Sequence, residues 1–172
     1  RYGDDGDAAR YRSAETHSGL TIDGTDPYPT NRPYYDNGFR RKTCGPPPSM
    51  DSFDNGVSLT FEGLSRLNSV GQVCRRWSFD TDRVVLNDTV AGTRTTTVER
   101  RLITHHDVTS DGTTARIRAG NHQFEITSDD GIMELRPATR WTAYGRGETA
   151  TEIRIHTQAA LNWSSQLQIR AL

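Results

Sequence analysis

The sequence predicts an all-β protein, an antiparallel β-sandwich or barrel. Three observations lead there. From residue 57 to the end, apolar and polar residues alternate in short runs, the period of a half-buried strand. Gly, Asn, Asp and Ser punctuate those runs at fairly even intervals, as turns do between strands of a sandwich. No segment carries an amphipathic helical pattern three turns long.

The elements follow in order. Leu20 and Ile22 alternate with Thr21 and Asp23, and Asp23-Gly24 supplies a turn. Residues 25–56 hold six of the seven prolines and no persistent period, so they read as one long irregular loop. Strands are expected at 57–61, 73–79, 83–90, 95–103, 115–119, 123–127, 132–135, 152–157 and 166–171. Gly120-Asn121 sits between two of them as a hairpin turn.

With 172 residues the chain suits a single domain with a real core, here read as 1–172. The hydrophobic share is 33% and the mean hydropathy −0.75, low values that fit a β-rich chain with many solvated loops. The net charge of −1 gives no electrostatic case for nucleic acid or an anionic membrane. No apolar run approaches the ~20 residues of a membrane-spanning helix. Cys44 and Cys74 either pair, closing a loop worth roughly 3–4 kcal/mol, or stand as free thiols. No Cys-x-x-Cys, Gly-x-Ser-x-Gly elbow, phosphate loop or dinucleotide fingerprint occurs.

Among candidate site residues, His17 comes first, because it stands at the mouth of the strand at 20–22. His105 and His106 read as structural: neighbours on a strand point to opposite faces and do not easily share one ion. Asp88 reads as a structural hydrogen-bonding residue. In the proline-rich region Tyr28, Tyr34, Tyr35, Phe39, Arg40 and Arg41 combine rings and cations. Such residues suit an anionic sugar through stacking and carboxylate pairing. A solvated loop pinned by its own aromatics is the other reading.

The stretch 12–24 resembles a motif of the heparinase II/III-like polysaccharide lyases, in their C-terminal β-domain. The family pattern is Arg-Ser-Thr-x-Ala-His-Asn-Thr-Val-x-Val-Asp-Gly. Arg12-Ser13, His17, Thr21-Ile22 and Asp23-Gly24 follow it, while Ser18 stands where Asn is usual. Arg1-Tyr2-Gly3-Asp4 is similar to the tail of the family's Asp-Pro-Gly-Thr-Tyr-x-Tyr run. Further along, Arg75-Arg76-Trp77, the run at 84–92, Arg100-Arg101-Leu102 with His105-His106, and Trp141-Thr-Ala-Tyr144-Gly145 are similar to family strands in the same order.

The resemblance implies an antiparallel β-sandwich of the super-sandwich type that begins within its domain, with its first strands and an α-helical toroid lying N-terminal. It implies that His17 is one ligand of a zinc ion whose other ligands lie upstream, and that the isolated chain holds no zinc. Tyr2 is then the candidate proton-transfer residue. Tyr11 is its runner-up, grouped with Arg40 and Arg41 as substrate-binding. The implied partner is an anionic, uronate-containing polysaccharide cut by β-elimination, in the cell envelope, the periplasm or outside the cell. Alone, the chain is expected to be inactive. The alternative is a non-catalytic glycan-binding or structural module of the envelope.

Overall fold

The computed structural model describes residues 13–29, 37–143 and 146–172. Twelve strands form two antiparallel sheets. They are β1 (Gly19–Ile22), β2 (Ser49–Phe53), β3 (Gly56–Phe61), β4 (Val70–Phe79), β5 (Arg83–Gly92), β6 (Thr95–Thr104), β7 (Asp107–Ser110), β8 (Thr114–Ala119), β9 (His122–Ser128), β10 (Ile132–Ala143), β11 (Arg146–Ala160) and β12 (Trp163–Ala171). The smaller sheet has the order β1-β6-β11-β10 and the larger β2-β3-β4-β5-β12-β9-β8-β7. The expected all-β sandwich is what forms.

The region 25–56 is a correction. It is not one irregular loop: it holds the two-turn helix α1 (Asn37–Cys44) and all of β2. The helix is too short to show a period. It stops where Gly45 takes φ +72°, the left-handed conformation that ends helices, ahead of Pro46-Pro47-Pro48. Strand β2 escapes a pattern search because it is an edge strand whose residues are nearly all exposed. Asp54-Asn55 joins it to β3, with Phe53 opposite Gly56.

Two further strands run past their expected limits. β10 and β11 pair from Ile132–His156 out to Ala143–Arg146, but β6 accompanies β11 only as far as Thr151. The far half of this hairpin therefore projects as a two-stranded arm. Pro137 is tolerated inside β10 because β10 is an edge strand. Asp23 (φ +50°) and Gly24 (φ +66°) form the turn expected after β1. Asp23 Oδ1 accepts a hydrogen bond from the Thr97 amide at 2.9 Å, locking the turn to β6.

The interior is two apolar clusters with a polar belt between them. One contains Leu20, Ile22, Val73, Val90, Val98 and Trp163; the other contains Leu86, Ile126, Ile153, Ile155 and Leu167. Each belt residue sits two positions from a member of each group: Val73-x-Arg75-x-Trp77, Leu86-x-Asp88-x-Val90, Val98-x-Arg100-x-Leu102 and Trp163-x-Ser165-x-Leu167. Asp88 is fully buried. It accepts from Arg75 Nε at 2.7 Å and Nη2 at 3.2 Å, and from Arg100 Nε at 2.8 Å. Arg100 also donates to Ser128 Oγ at 2.9 Å and to the Ser165 carbonyl at 2.8 Å, and lies over the Trp163 ring. Trp163 and Ser165 both donate to Asp130. Asp130 is held there by Gly131 (φ +89°), where a Cβ would come within 2.5 Å of Thr157 Oγ1. Asp88 is thus the structural residue that the sequence suggested: buried charges with good geometry and no stray lone pairs.

Candidate functional site

Strand β6 carries two consecutive arginines, and the pleat sends them to opposite faces. Arg100 enters the belt. Arg101 goes to the outer face of the four-stranded sheet, which it shares with Thr21 of β1, Glu99 of β6, and Glu152 and Arg154 of β11. These form a charge lattice. Glu152 Oε1 lies 2.6 Å from Arg154 Nε and 3.8 Å from Arg101 Nε. Glu99 lies 3.3 Å from both Arg101 and Arg154 and accepts from Thr21 Oγ1 at 3.2 Å.

Unusually for an outer face, the lattice is buried: Arg101 is 5% exposed and Glu152 6%. The single 3-10 turn Ala14–Thr16 packs on both β1 and β10, the two edges of this sheet, and so crosses above it. At its margin Glu134 is held below its ordinary pKa, chiefly by the hydrogen bond from Arg136.

His17 ends that turn in extended backbone (φ −129°), with its amide bonded to the Ala14 carbonyl at 3.2 Å. It is exposed. Ser18 Oγ behind it accepts from the Ile103 amide at 3.1 Å, pinning the strand mouth to β6. The His17 backbone therefore leads directly into the mouth of β1. Among the described residues, however, no three His, Cys, Asp or Glu side chains converge on one point. The described residues by themselves do not compose a zinc site.

The other predicted residues are dispersed. Tyr2 and Tyr11 lie outside the described residues, as does the side chain of Arg40. Arg41 is exposed on α1. Tyr28 faces inward and packs on Phe61, with ring centroids 6.2 Å apart. Cys74 is a free thiol, so the disulfide alternative falls. The argument about His105 and His106 also needs correction. They occupy the bend between β6 and β7, where strand alternation does not apply, and their rings stack 4.0 Å apart. His105 Nδ1 accepts from Arg140 Nη1 at 2.7 Å, which ties the bend to the β10–β11 arm. His122 is exposed, and His156 is half-buried beside Glu99 on the small sheet.

Reading the sequence residue by residue missed Glu99, Glu152 and Arg154. The available signal was their alternation with apolar residues, Glu99 beside Val98, and Glu152 and Arg154 on either side of Ile153.

The architecture defines a class first: an antiparallel two-sheet sandwich with one four-stranded and one eight-stranded sheet. Solved structures of carbohydrate-active proteins share it. A heparinase III structure matches 99% of this chain with a TM-score of 0.70 at 15% identity, over 26% of its own length. A heparan sulfate lyase mutant from Pedobacter heparinus matches 99% with a TM-score of 0.70 at 15% identity, over 27% of its length. A 4-alpha-glucanotransferase from Thermococcus litoralis matches 73% with a TM-score of 0.57 at 12% identity, over 22% of its length. The chain thus has the fold of the matched region of heparinase III and spans about a quarter of those lyases. No family model and no curated protein sequence matches it. Among the described residues no helix is long and apolar enough to cross a membrane.

Proposed function

We propose that this chain is the β-sandwich portion of a polysaccharide lyase that cleaves uronate-containing glycans by β-elimination in the cell envelope or outside the cell. The observation that carries this reading is the fold match over 99% of the chain to a heparinase III and to a heparan sulfate lyase. The match of residues 12–24 to the lyase motif agrees with it.

In such a reaction the uronate carboxylate is neutralised, which acidifies the adjacent carbon. A base removes that proton, the bond to the leaving sugar oxygen breaks, and an acid returns a proton to that oxygen. Tyr2 is the residue of this chain assigned to proton transfer. Tyr11, Arg40 and Arg41 are assigned to holding the polyanion, the arginines by bidentate pairing with carboxylates. His17 is assigned as one zinc ligand in the complete enzyme, completed by residues beyond those described. A helical domain supplies the rest of the machinery, so residues 1–172 alone do not turn over.

The test is the rise in ultraviolet absorbance from the new double bond, with heparan sulfate and other uronate polymers as substrates. A longer protein carrying this sequence should show elimination, and His17→Ala should lower it at least tenfold. Residues 1–172 alone should show none. Turnover by 1–172 alone, or no elimination from any uronate polymer by the longer protein, would overturn the reading. A non-catalytic glycan-binding module is the second reading, favoured by the polar face of the larger sheet.

A further inference from the structure

We infer that the outer face of the eight-stranded sheet is a binding platform for an acidic oligosaccharide. In this assignment Arg76 takes an anionic group and the amides of Asn87, Gln166 and Gln168 take sugar hydroxyls. This surface is separate from every residue assigned above, and only the choice of probe rests on the polysaccharide reading.

The registers Arg76↔Asn87, Asn87↔Gln166, Ser78↔Val85, Val85↔Gln168 and Gln168↔Thr127 place these residues side by side on one face. It is the face opposite the buried belt, since Arg75 and Asp88 point inward. The rows continue through Thr89 and Ser164 on one side and Arg116 and Thr109 on the other. From β4 to β7 the face is about 24 Å wide at the usual strand spacing.

Three features single it out. First, Ser78, Asn87, Thr89, Thr127, Ser164, Gln166 and Gln168 make no side-chain hydrogen bond among the described residues. An amide offers two donors and an acceptor, and a hydroxyl offers both kinds, which is the complement of a sugar. Second, Arg76 is the exception among the arginines of this face. Arg83, Arg116, Arg118 and Arg170 each pair with a carboxylate at 2.8 to 3.2 Å. Arg76 has no acidic partner among the described residues; it is exposed and lies over the Phe53 ring at 3.8 Å, which orients the cation without neutralising it. Third, the face is dished at both ends. A cleft of about 250 Å³ opens beside Gln72, Cys74 and Ser164, and one of about 300 Å³ beside Thr109, Arg118 and Gln123.

Titration calorimetry of residues 1–172 with a heparan sulfate hexasaccharide, and with neutral maltohexaose for comparison, tests this. The acidic probe should bind saturably and more tightly than the neutral one. Arg76→Ala should weaken the acidic probe at least tenfold. Asn87→Ala with Gln168→Ala should weaken it further, Arg136→Ala on the other sheet should leave it unchanged, and none of these should move the unfolding midpoint appreciably. No saturable binding at millimolar probe, equal affinity for both probes, or no effect of Arg76→Ala would overturn the proposal; so would loss of binding in Arg136→Ala. The lyase reading stands or falls separately, on elimination by the longer protein.

Discussion

Strands β4, β5 and β12 carry polar residues on both faces, and the two faces treat them in opposite ways. Inward, Arg75, Asp88 and Ser165 are enclosed with Arg100 and satisfy one another. Outward, their neighbours Arg76, Asn87, Ser164 and Gln166 find no ion pair or side-chain hydrogen bond within the described residues. Alternation along a strand supplies both faces from one sequence. Polarity alone therefore says little: a polar group paired inside the fold contributes to stability, and one left unpaired at the surface is available to a ligand.

The largest effect should come from breaking the inner set. Among the described residues, Asp88→Ala removes the only carboxylate within salt-bridge reach of Arg75 and leaves Arg100 just the distant Asp130 at 3.9 Å. Stranding buried charge costs about 3–5 kcal/mol, so urea unfolding should show a loss of that size. The belt's worth over an apolar replacement is a separate quantity, which single removals do not measure.

A smaller loss is expected from the covered lattice on the other sheet. Glu152→Ala leaves Arg154 and Arg101 to Glu99 alone, at a cost of about 1–3 kcal/mol in the same measurement. Smaller still, Arg76→Ala and Gln168→Ala should each change stability by less than about 0.5 kcal/mol. A loss of several kcal/mol in either would mean that the outer face serves the fold and would collapse the contrast.

The last prediction concerns acid. Burial raises the pKa of Asp23, but hydrogen bonds from Thr96 and Thr97 and the Arg94 charge outweigh it, so the carboxyl titrates below its ordinary value. Asp111 and Glu134 are lowered as well. A carboxyl with a depressed folded pKa stabilises above its unfolded value, about 3.9 for Asp, and loses that contribution as the pH falls through the folded one. Stability should therefore be level above pH ~5 and decline below pH ~4. Asp23→Asn should make the acid decline shallower. An unchanged acid limb in that variant would deny the turn its electrostatic role.

Much of the architecture was legible in the sequence because the strands obey a period of two. The Asp23-Gly24 and Gly120-Asn121 turns were legible because their chemistry is local. The belt was half legible: Asp88 read as a structural hydrogen-bonding residue, but its partners Arg75 and Arg100 come from two other strands. The outer platform was illegible for the same reason. Arg76, Asn87 and Gln166 are ordinary polar residues until the β4–β5–β12 register lines them up. Helix α1 and strand β2 were missed because one is too short for a period and the other lies on an exposed edge. For His105 and His106 the strand rule failed because they lie in a bend, while the structural reading agrees with the contact of His105 with Arg140.

The most direct test of the central contrast is a nuclear magnetic resonance titration of residues 1–172 with a heparan sulfate hexasaccharide, following side-chain amide and arginine Nε signals. The account predicts progressive shifts at Arg76, Asn87, Gln166 and Gln168, with Arg75, Arg100 and Arg101 unmoved. Shifts centred on Arg101 and Arg154, or no shifts at millimolar ligand, would contradict it.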